Sequence, residues 1–300
     1  MDARRRALLG AFAGLAVTRA ARGAERMHTR PIPASGEALP VIGLGTWQTF
    51  DVGGNAAAQA PLKEVLQALF EAGGRVVDSS PMYGSSESVV GELCAQLGIC
   101  EPLFLATKVW TQGREEGARQ MQRSIERMRA APLDLMQVHN LVDVETHTKT
   151  LLEWKSQKRV RYIGITHYAT SGHAATERWL KTKQYDFVQI NYSLDEPESE
   201  KRILPLAREH GVAVMINRPF ATGSMFRRTR GKPLPPWAAE LGIASWAQYF
   251  LKWIVAHPAV TCAIPATSKP AHMRDNAGAG MGAMPDAAGR RRMQEYYRAL

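Results

Sequence analysis

Four side chains able to carry charge or exchange protons lie at the ends of predicted strands. Asp78 ends a buried, β-branched strand over 75–78, and Tyr83 follows in the adjoining loop. Lys108 ends the next predicted strand, and His139 ends the one after it. A buried ammonium beside a phenol favours the phenolate, and a carboxylate keeps that ammonium charged. We therefore expect Lys108 to lower the pKa of Tyr83, so that the phenol gives or takes a proton near neutral pH.

The elements that must position these residues alternate between strand and helix. The predicted strands cover 41–47, 75–78, 103–109, 133–139, 162–166, 187–192, 212–216 and 261–265. Helices are predicted between them, with Pro61 in the first turn of the first helix and a long irregular connection over 217–236. About eight such units predict an α/β fold, a (β/α)8 TIM barrel with its active site at the carboxyl ends of the strands. We further expect an N-terminal β-hairpin over 32–39 and extra C-terminal helices near 271–277 and 286–298.

The composition is that of one large globular domain. The chain has 300 residues, of which 45% are hydrophobic and 22% charged, and Pro and Gly cluster only in connections. We therefore expect residues 25–300 to form a single domain, and we expect a monomer. The formal net charge is +10, but five arginines and one aspartate lie in residues 1–24, which leaves +6 for the remainder. The sequence shows no basic face interleaved with aromatic residues, which argues against a nucleic-acid partner.

Residues 1–24 have the pattern of an export signal. A basic stretch over 4–6 precedes an apolar run over 7–17, and small residues follow over 20–24. The run is shorter than the roughly 20 residues that a transmembrane helix needs, so we expect no stable membrane anchor. Paired arginines before a mildly apolar run are typical of twin-arginine export, which predicts the export machinery as a partner and the periplasm as the destination. The alternative is a basic N-terminal helix that stays attached to a cytoplasmic protein.

The three cysteines allow two interpretations. Cys94 and Cys100 could pair across a helix end in an oxidising compartment, with Cys262 left over. Buried cysteines more often serve as small hydrophobic side chains. The sequence favours the second interpretation, with all three unpaired.

Short segments at the predicted strand ends together resemble those of the aldo/keto reductase superfamily. They occur in the family's order and spacing and cover nearly everything after residue 30. The segments are Ile42-Gly43-Leu44-Gly45-Thr46-Trp47, Val77-Asp78-Ser79-Ser80-Pro81-Met82-Tyr83-Gly84, Thr107-Lys108-Val109-Trp110, Gln137-Val138-His139-Asn140, Ile163-Gly164-Ile165-Thr166, Val188-Gln189-Ile190-Asn191-Tyr192 and Ile264-Pro265-Ala266-Thr267-Ser268-Lys269-Pro270. The resemblance implies a nicotinamide-dependent reductase that converts a small aldehyde or ketone into an alcohol.

The resemblance also implies roles for the four strand-end side chains. Tyr83 would protonate the carbonyl oxygen as hydride arrives, with Lys108 lowering its pKa and pairing with Asp78. His139 would orient the carbonyl and help to polarise it. The substrate pocket would be lined by Trp47, Trp110 and Asn140.

The residues that the resemblance assigns to the cofactor lie at the strand ends and after the last strand. They are Thr46, Trp47, Thr166, His167, Gln189, Asn217, Pro219, Phe220, Thr267, Asp275 and Asn276. Gln189 would hold the nicotinamide carboxamide with Thr166 and His167, where the family often has Ser-Asn. At the position of the tyrosine that commonly stacks on the nicotinamide this chain has Asn217, so the stacking ring is either missing or supplied by Phe220.

The preference between NADPH and NADH depends on the segment after the last predicted strand. NADP-binding members of the family place Lys and Arg at the 2′-phosphate, and this chain has Ala266 and His272 there. Lys269 or Arg274 would have to take their place, because point charges tolerate displacement better than bidentate pairs do. The sequence therefore favours NADPH, with NADH as the alternative.

Two functions from other classes stay open. A metal-dependent barrel hydrolase would use Asp78, His139 and His167 as ligands, but such sites usually also need a His-x-His on the first strand, which 42–47 lacks. A nicotinamide-binding regulatory subunit would have the same fold without the chemistry. Of the three, the sequence favours the reductase, an enzyme without a metal.

Overall fold

The computed structural model describes residues 26–300 of the chain. The export signal expected over 1–24 lies outside these residues. Two short strands, β1 (Thr29–Pro31) and β2 (Ala38–Pro40), pair antiparallel, with Arg30 opposite Leu39. They form the expected N-terminal hairpin, and the residues predicted to be its first half form the turn instead.

Eight further strands alternate with helices. The strands are β3 (Leu44–Gly45), β4 (Val76–Asp78), β5 (Phe104–Val109), β6 (Leu133–Val138), β7 (Val160–Thr166), β8 (Phe187–Asn191), β9 (Ala213–Asn217) and β10 (Cys262–Ala263). The α-helices are α1 (Ala56–Glu71), α2 (Ser86–Leu97), α3 (Arg114–Met128), α4 (Val144–Ser156), α5 (His173–Leu180), α6 (Ile203–Glu209), α7 (Ser224–Arg228), α8 (Trp246–Val255), α9 (Pro270–Gly278) and α10 (Ala287–Arg298). Among residues 26–300 no helix has the length and apolarity needed to cross a bilayer.

The eight strands are parallel, and each pairs with its neighbours in chain order. β3 and β10 meet across the remaining gap, where Ile42 pairs with Ala263 and Gly45 pairs with Ala266. The Gly43 N–H also donates to the carbonyl oxygen of Ala263 at 2.9 Å. Outside the sheet, α9 packs beside α1 and completes the ring of helices, and α10 follows as an additional helix. The predicted (β/α)8 barrel is thus confirmed.

The hairpin closes the amino-terminal end of the barrel. Ile32 and Leu39 are at most 2% exposed and belong to a cluster with inward-facing residues of the barrel strands. The strand residues of that cluster are Val76, Phe104, Ala106, Leu135, Tyr162, Phe187, Ala213, Met215 and Cys262. Burying each of the two hairpin side chains contributes on the order of 1.5–3 kcal/mol. The opposite, carboxyl-terminal end is therefore the one left for a ligand.

Helix α1 begins earlier than the sequence predicted. The side-chain oxygen of Asn55 accepts hydrogen bonds from the N–H groups of Ala57 and Ala58, so the helix starts at Ala56 and contains Pro61 in its interior. Pro61 was wrongly placed in the first turn, because an Asn cap satisfies the free N–H groups of a helix start better than proline alone can. The connection over 217–236 was also not wholly irregular, since it contains α7.

Cys94 and Cys100 form a disulfide, which corrects the expectation that all three cysteines are unpaired. Their Cα atoms are 4.9 Å apart, because Gly98 ends α2 in the left-handed region (φ 68) and turns the chain back. Cys262 is free and buried, as the favoured interpretation expects of a small hydrophobic side chain. The disulfide fastens the carboxyl end of the helix that follows the Tyr83 loop.

We expect reduction of this disulfide to lower the free energy of unfolding by about 2 kcal/mol, because it closes a short loop in the unfolded chain. Urea unfolding with and without a reductant measures the difference. A Cys262→Ser variant should respond to reductant as the wild type does, and a Cys94→Ser/Cys100→Ser variant should not respond. An unchanged wild-type midpoint after complete reduction would contradict the expectation.

Candidate active site

A buried ion pair lies at the carboxyl-terminal end of the barrel. Lys108, the fifth residue of β5, places its Nζ 2.6 Å from Oδ2 of Asp78, the last residue of β4. The same Nζ donates to the carbonyl oxygen of Ser79 at 2.6 Å. The side chains of the pair are 0% and 4% exposed. Burial alone would lower the pKa of Lys108, but Asp78 and the phenol of Tyr83 raise it, with a net rise. The ammonium therefore stays charged inside the protein.

Two glutamine side chains orient the carboxylate of this pair. Gln137 of β6 donates from Nε2 to Oδ1 of Asp78 at 3.1 Å, and Gln189 of β8 donates to the same oxygen at 2.9 Å. Both glutamines are buried. The family resemblance assigned Gln189 to the nicotinamide, and Gln137 is a site residue to which no role was assigned. The available signal was its position two residues before His139, near the carboxyl end of β6.

Tyr83 lies in the loop between β4 and α2, half-buried, with its ring centroid 5.2 Å from Nζ of Lys108. Burial raises the pKa of the Tyr83 phenol above its ordinary value, and Lys108 only partly counteracts this. The expectation of a net lowering was therefore wrong for the protein alone. The physical reason is that desolvation destabilises the phenolate by more free energy than its attraction to the nearby ammonium stabilises it. The phenol is thus held protonated at neutral pH.

The turn after Tyr83 is held by Asp51. Oδ1 of Asp51 accepts hydrogen bonds from the backbone N–H and the hydroxyl of Ser85, each at 2.8 Å. Gly84 has a φ of +59, and a Cβ added there would lie 2.2 Å from Oδ2 of Asp51. The positive φ favours glycine at this position, and a larger residue would also displace the Asp51 carboxylate that holds the turn.

His139 completes the group of four. It is 6% exposed, and its ring meets that of Tyr83 edge-on with centroids 5.9 Å apart. Ser80, a residue that the sequence analysis did not single out, places its Oγ 2.9 Å from Nδ1 of His139. Burial, together with the charge of Lys108, lowers the pKa of His139 to about 2. The imidazole is therefore neutral at physiological pH.

Exposed apolar side chains surround this group. Trp47 is 45% exposed and Trp110 is 42% exposed, at the ends of β3 and β5 where the sequence placed a substrate pocket. The ring centroid of Trp110 lies 6.4 Å from that of His139. Met82, which the sequence analysis did not assign, is 39% exposed in the Tyr83 loop. The rim beside the phenol and the imidazole is thus apolar and open.

The predicted nicotinamide residues of β3 and β7 are partly engaged within the protein. Thr46 is buried and donates to the carbonyl oxygen of Asp78 at 3.1 Å. The Asn140 N–H donates to Oγ1 of Thr166 at 3.3 Å. The ring of His167 stacks on Tyr168 at an interplanar angle of 4°. Of these, Thr166 and Asn140 lie within one hydrogen bond of each other beside the catalytic candidates.

Asn217 joins the ends of β7, β8 and β9. Its Nδ2 donates to the carbonyl oxygen of His167 at 3.2 Å and to Oε1 of Gln189 at 3.4 Å. Its Oδ1 is buried and has no hydrogen-bond partner among residues 26–300, and the same holds for Oδ1 of Asn140. Next along the chain, Pro219 is buried, and the ring of Phe220 packs 4.9 Å from that of Phe226.

The residues predicted to bind adenosine follow β10. Oγ1 of Thr267 accepts the N–H of Lys269 at 3.1 Å, and Asn276 is buried within α9. Asp275 accepts hydrogen bonds from Ser245 at 2.7 Å and from Gln248 at 2.8 Å. The carboxylate of Asp275 thus links α9 to the start of α8 in this structure.

Comparison of the whole sequence with known families agrees with this geometry. The profile of the aldo/keto reductase family matches residues 41–287. The chain belongs to that family. The resemblance inferred from the strand-end segments is confirmed at this level.

Individual aldo/keto reductases are similar over most of the chain. Methylglyoxal reductase YeaE of Escherichia coli strain K12 is 28% identical over 259 residues, which is 84% of this chain and 89% of that protein. An NADH-specific methylglyoxal reductase of the same strain is 26% identical over 230 residues, 66% of this chain and 68% of that protein. An aldo/keto reductase from Klebsiella pneumoniae solved with NADP and acetate superimposes with a TM-score of 0.75 at 24% identity, covering 87% of this chain and 93% of that one. This last likeness shows the shared fold.

The alternative of a metal-dependent hydrolase finds no support in the site of this aldo/keto reductase family member. Among residues 26–300 no three His, Cys, Asp or Glu side chains converge as metal ligands would. Asp78 is occupied by Lys108 and two glutamines. The site therefore offers hydrogen-bond donors and an ammonium rather than a set of ligands.

The neutral state of His139 predicts a pH dependence of stability. The unfolded state takes up this proton below about pH 6.5, whereas the folded state does so only near pH 2, so the free energy of unfolding falls as the pH falls between these values. The contribution is about 1.4 kcal/mol per pH unit. We expect a His139→Gln variant to lose this part of the slope, as measured by urea unfolding at several pH values. Equal slopes for the two proteins would show that His139 is not held neutral.

Proposed function

We propose that this protein reduces an aldehyde or ketone to an alcohol with NADPH or NADH. The observation that carries the proposal is the convergence of Asp78, Tyr83, Lys108 and His139 at one end of the barrel. Membership of the aldo/keto reductase family supports it, as do relatives named methylglyoxal reductase and fold neighbours solved with NADP or NADPH.

The residues around Asn217 fit the nicotinamide cofactor that the family implies. The buried Oδ1 atoms of Asn217 and Asn140 lack donors among residues 26–300, and a carboxamide carries two N–H groups that could satisfy them. Thr166 and Gln189 would complete that contact. In this proposal Asn217 holds the carboxamide by hydrogen bonds where relatives of this family commonly stack a tyrosine. When bound, the reduced nicotinamide supplies the hydride.

Tyr83 acts as the proton donor in this proposal. Because burial keeps its phenol protonated, it can donate to the carbonyl oxygen at neutral pH. The phenolate that forms lies beside the Lys108 ammonium, whose charge stabilises it at the moment of transfer. Asp78 keeps that ammonium charged and fixed in place. The arrangement favours the reductive direction, which consumes a proton.

His139 orients the carbonyl in this proposal. Its imidazole is neutral, so one ring nitrogen carries a hydrogen and the other accepts one. We assign the Ser80 hydroxyl as the donor and Nδ1 of His139 as the acceptor of the hydrogen bond between them. Nε2 of His139 then carries the hydrogen. It has no partner among residues 26–300 and can donate to the substrate oxygen. Trp47, Trp110 and Met82 would contact the apolar part of the substrate.

The start of α9 supports NADPH as the preferred cofactor. Lys269 precedes this helix and Arg274 lies within it, and both side chains are exposed. The amino-terminal end of a helix attracts phosphate through its free N–H groups and its dipole. Lys269, directly before that end, and Arg274, about one turn into the helix, would add to the attraction for a 2′-phosphate. In this proposal Thr267 and Asn276 contact the adenosine.

We expect a Tyr83→Phe variant to lose carbonyl reduction by a factor of about 10²–10⁴ while binding cofactor as the wild type does, because the substitution removes only the hydroxyl that donates the proton and keeps the ring. Carbonyl reduction is measured by the loss of reduced-cofactor absorbance with methylglyoxal and with an aromatic aldehyde. Cofactor binding is measured by the quenching of protein fluorescence. Tyr296→Phe is the matched control, since the Tyr296 hydroxyl makes only a long contact of 3.5 Å away from the site.

Near-normal turnover in Tyr83→Phe would rule out Tyr83 as the acid. A wild type that binds cofactor tightly but reduces no carbonyl compound would instead favour the regulatory subunit. Turnover of the wild type with NADPH and NADH in parallel measures the cofactor preference.

We also propose that residues 1–24 direct twin-arginine export to the periplasm, with the cofactor bound before export. The pair Cys94–Cys100 supports an oxidising destination, because structural disulfides persist there and are rare in the cytosol. An Arg4→Lys/Arg5→Lys variant should stay in the cytoplasm when cell fractions are compared. Arg19→Lys/Arg22→Lys, in the same segment, should be exported normally. Unchanged export of the first variant would contradict the proposal.

A further inference from the structure

The loop that carries Trp110 is held by side chains from two helices. Gln120 of α3 binds the backbone of Trp110 at both ends: its Oε1 accepts the Trp110 N–H at 2.6 Å, and its Nε2 donates to the Trp110 carbonyl oxygen at 3.1 Å. His147 of α4 places its Nε2 2.8 Å from the carbonyl oxygen of Thr111, to which it must donate. Two consecutive residues after β5 are thus fixed by three hydrogen bonds.

The same loop is tied to the segment that carries His139. The Gly113 N–H donates to Oδ2 of Asp143 at 2.7 Å. Asn140, Leu141 and Asp143 all have positive φ values of 53°, 57° and 45°, a conformation that costs non-glycine residues energy. Surrounding contacts must hold such a segment in place. The loops after β5 and β6 therefore share one set of restraints.

The packing behind these loops leaves little freedom. His147 is fully buried, and a Cβ added at Gly117 would lie 2.4 Å from its Cε1, so α3 and α4 touch at this point. Nδ1 of His147 is buried without a partner among residues 26–300. The His147 ring therefore makes one hydrogen bond, to the Thr111 carbonyl oxygen of the loop.

We propose that Gln120 and His147 are positioning residues that fix the indole of Trp110 as one wall of the carbonyl pocket. Trp110 is 42% exposed, so packing covers it only in part and does not alone define the place of its indole beside His139. The wall selects carbonyl compounds with a flat apolar substituent, which can pack against the indole, over small ones that cannot. The substrate preference rests on the proposed reductase function. The position of the indole can be tested without that function.

The test compares Gln120→Met with Gln122→Met. Methionine matches glutamine in length but makes neither hydrogen bond to Trp110. Gln122 is also half-buried on α3, and it bonds Glu126 and Arg159 instead of the loop. For an aromatic aldehyde we expect Gln120→Met to raise KM about tenfold with kcat nearly unchanged. For methylglyoxal neither constant should change much, and Gln122→Met should behave as the wild type with both.

A second readout does not need turnover. The chain has seven tryptophans, so protein labelled with 5-fluorotryptophan gives a ¹⁹F NMR spectrum in which Trp110→Phe identifies one signal. Gln120→Met should shift or broaden that signal and leave the others in place, which also shows that the variant is folded. His147→Ala should do the same.

The outcomes separate the two proposals. A wild type that reduces no carbonyl compound overturns the reductase function, and the NMR comparison still decides whether the loop is held as proposed. A Trp110 signal that is identical in Gln120→Met and wild type overturns the positioning role. A displaced signal with an unchanged ratio of KM values for the two substrates overturns the specificity.

Discussion

The buried ion pair between Lys108 and Asp78 is the interaction on which the site depends. Two charges without water would each cost several kcal/mol if unpaired, so the protein must supply partners for every lone pair and hydrogen. Gln137 of β6 and Gln189 of β8 donate to the carboxylate, and the Ser79 carbonyl oxygen, directly after β4, accepts from the ammonium. These groups meet only when the barrel has closed. The site therefore depends on the tertiary fold of the barrel.

The same exclusion of water sets the protonation of the neighbouring groups. Burial keeps the Tyr83 phenol protonated although the nearby Lys108 ammonium acts to lower its pKa. Burial and the same ammonium together lower the pKa of His139 and keep its imidazole neutral. A neutral acid and a neutral donor beside a fixed positive charge suit a reaction in which negative charge develops on oxygen. One physical constraint, the exclusion of water at the barrel end, thus sets the protonation of both side chains.

Much of this arrangement could be predicted from residue types at strand ends, because parallel strands bring their carboxyl ends together whatever the loops do. The rest depends on quantities that a sequence does not carry. The pKa of Tyr83 is raised rather than lowered because of how deeply the phenol is buried. The Cys94–Cys100 pair follows from the left-handed turn at Gly98, and the start of α1 from competition between Asn55 and Pro61.

The closure between β3 and β10 gives the barrel an uneven local stability. Each of these strands has two residues, whereas β5, β6 and β7 have six or seven. Gly45 allows the backbones to approach, since a Cβ there would lie 2.9 Å from the carbonyl oxygen of Ile264. We therefore expect this junction to open locally more readily than the longer strand pairs of the sheet. Thr46 and Thr267 lie on its two sides, so a molecule bound to both would fasten the junction and slow its opening.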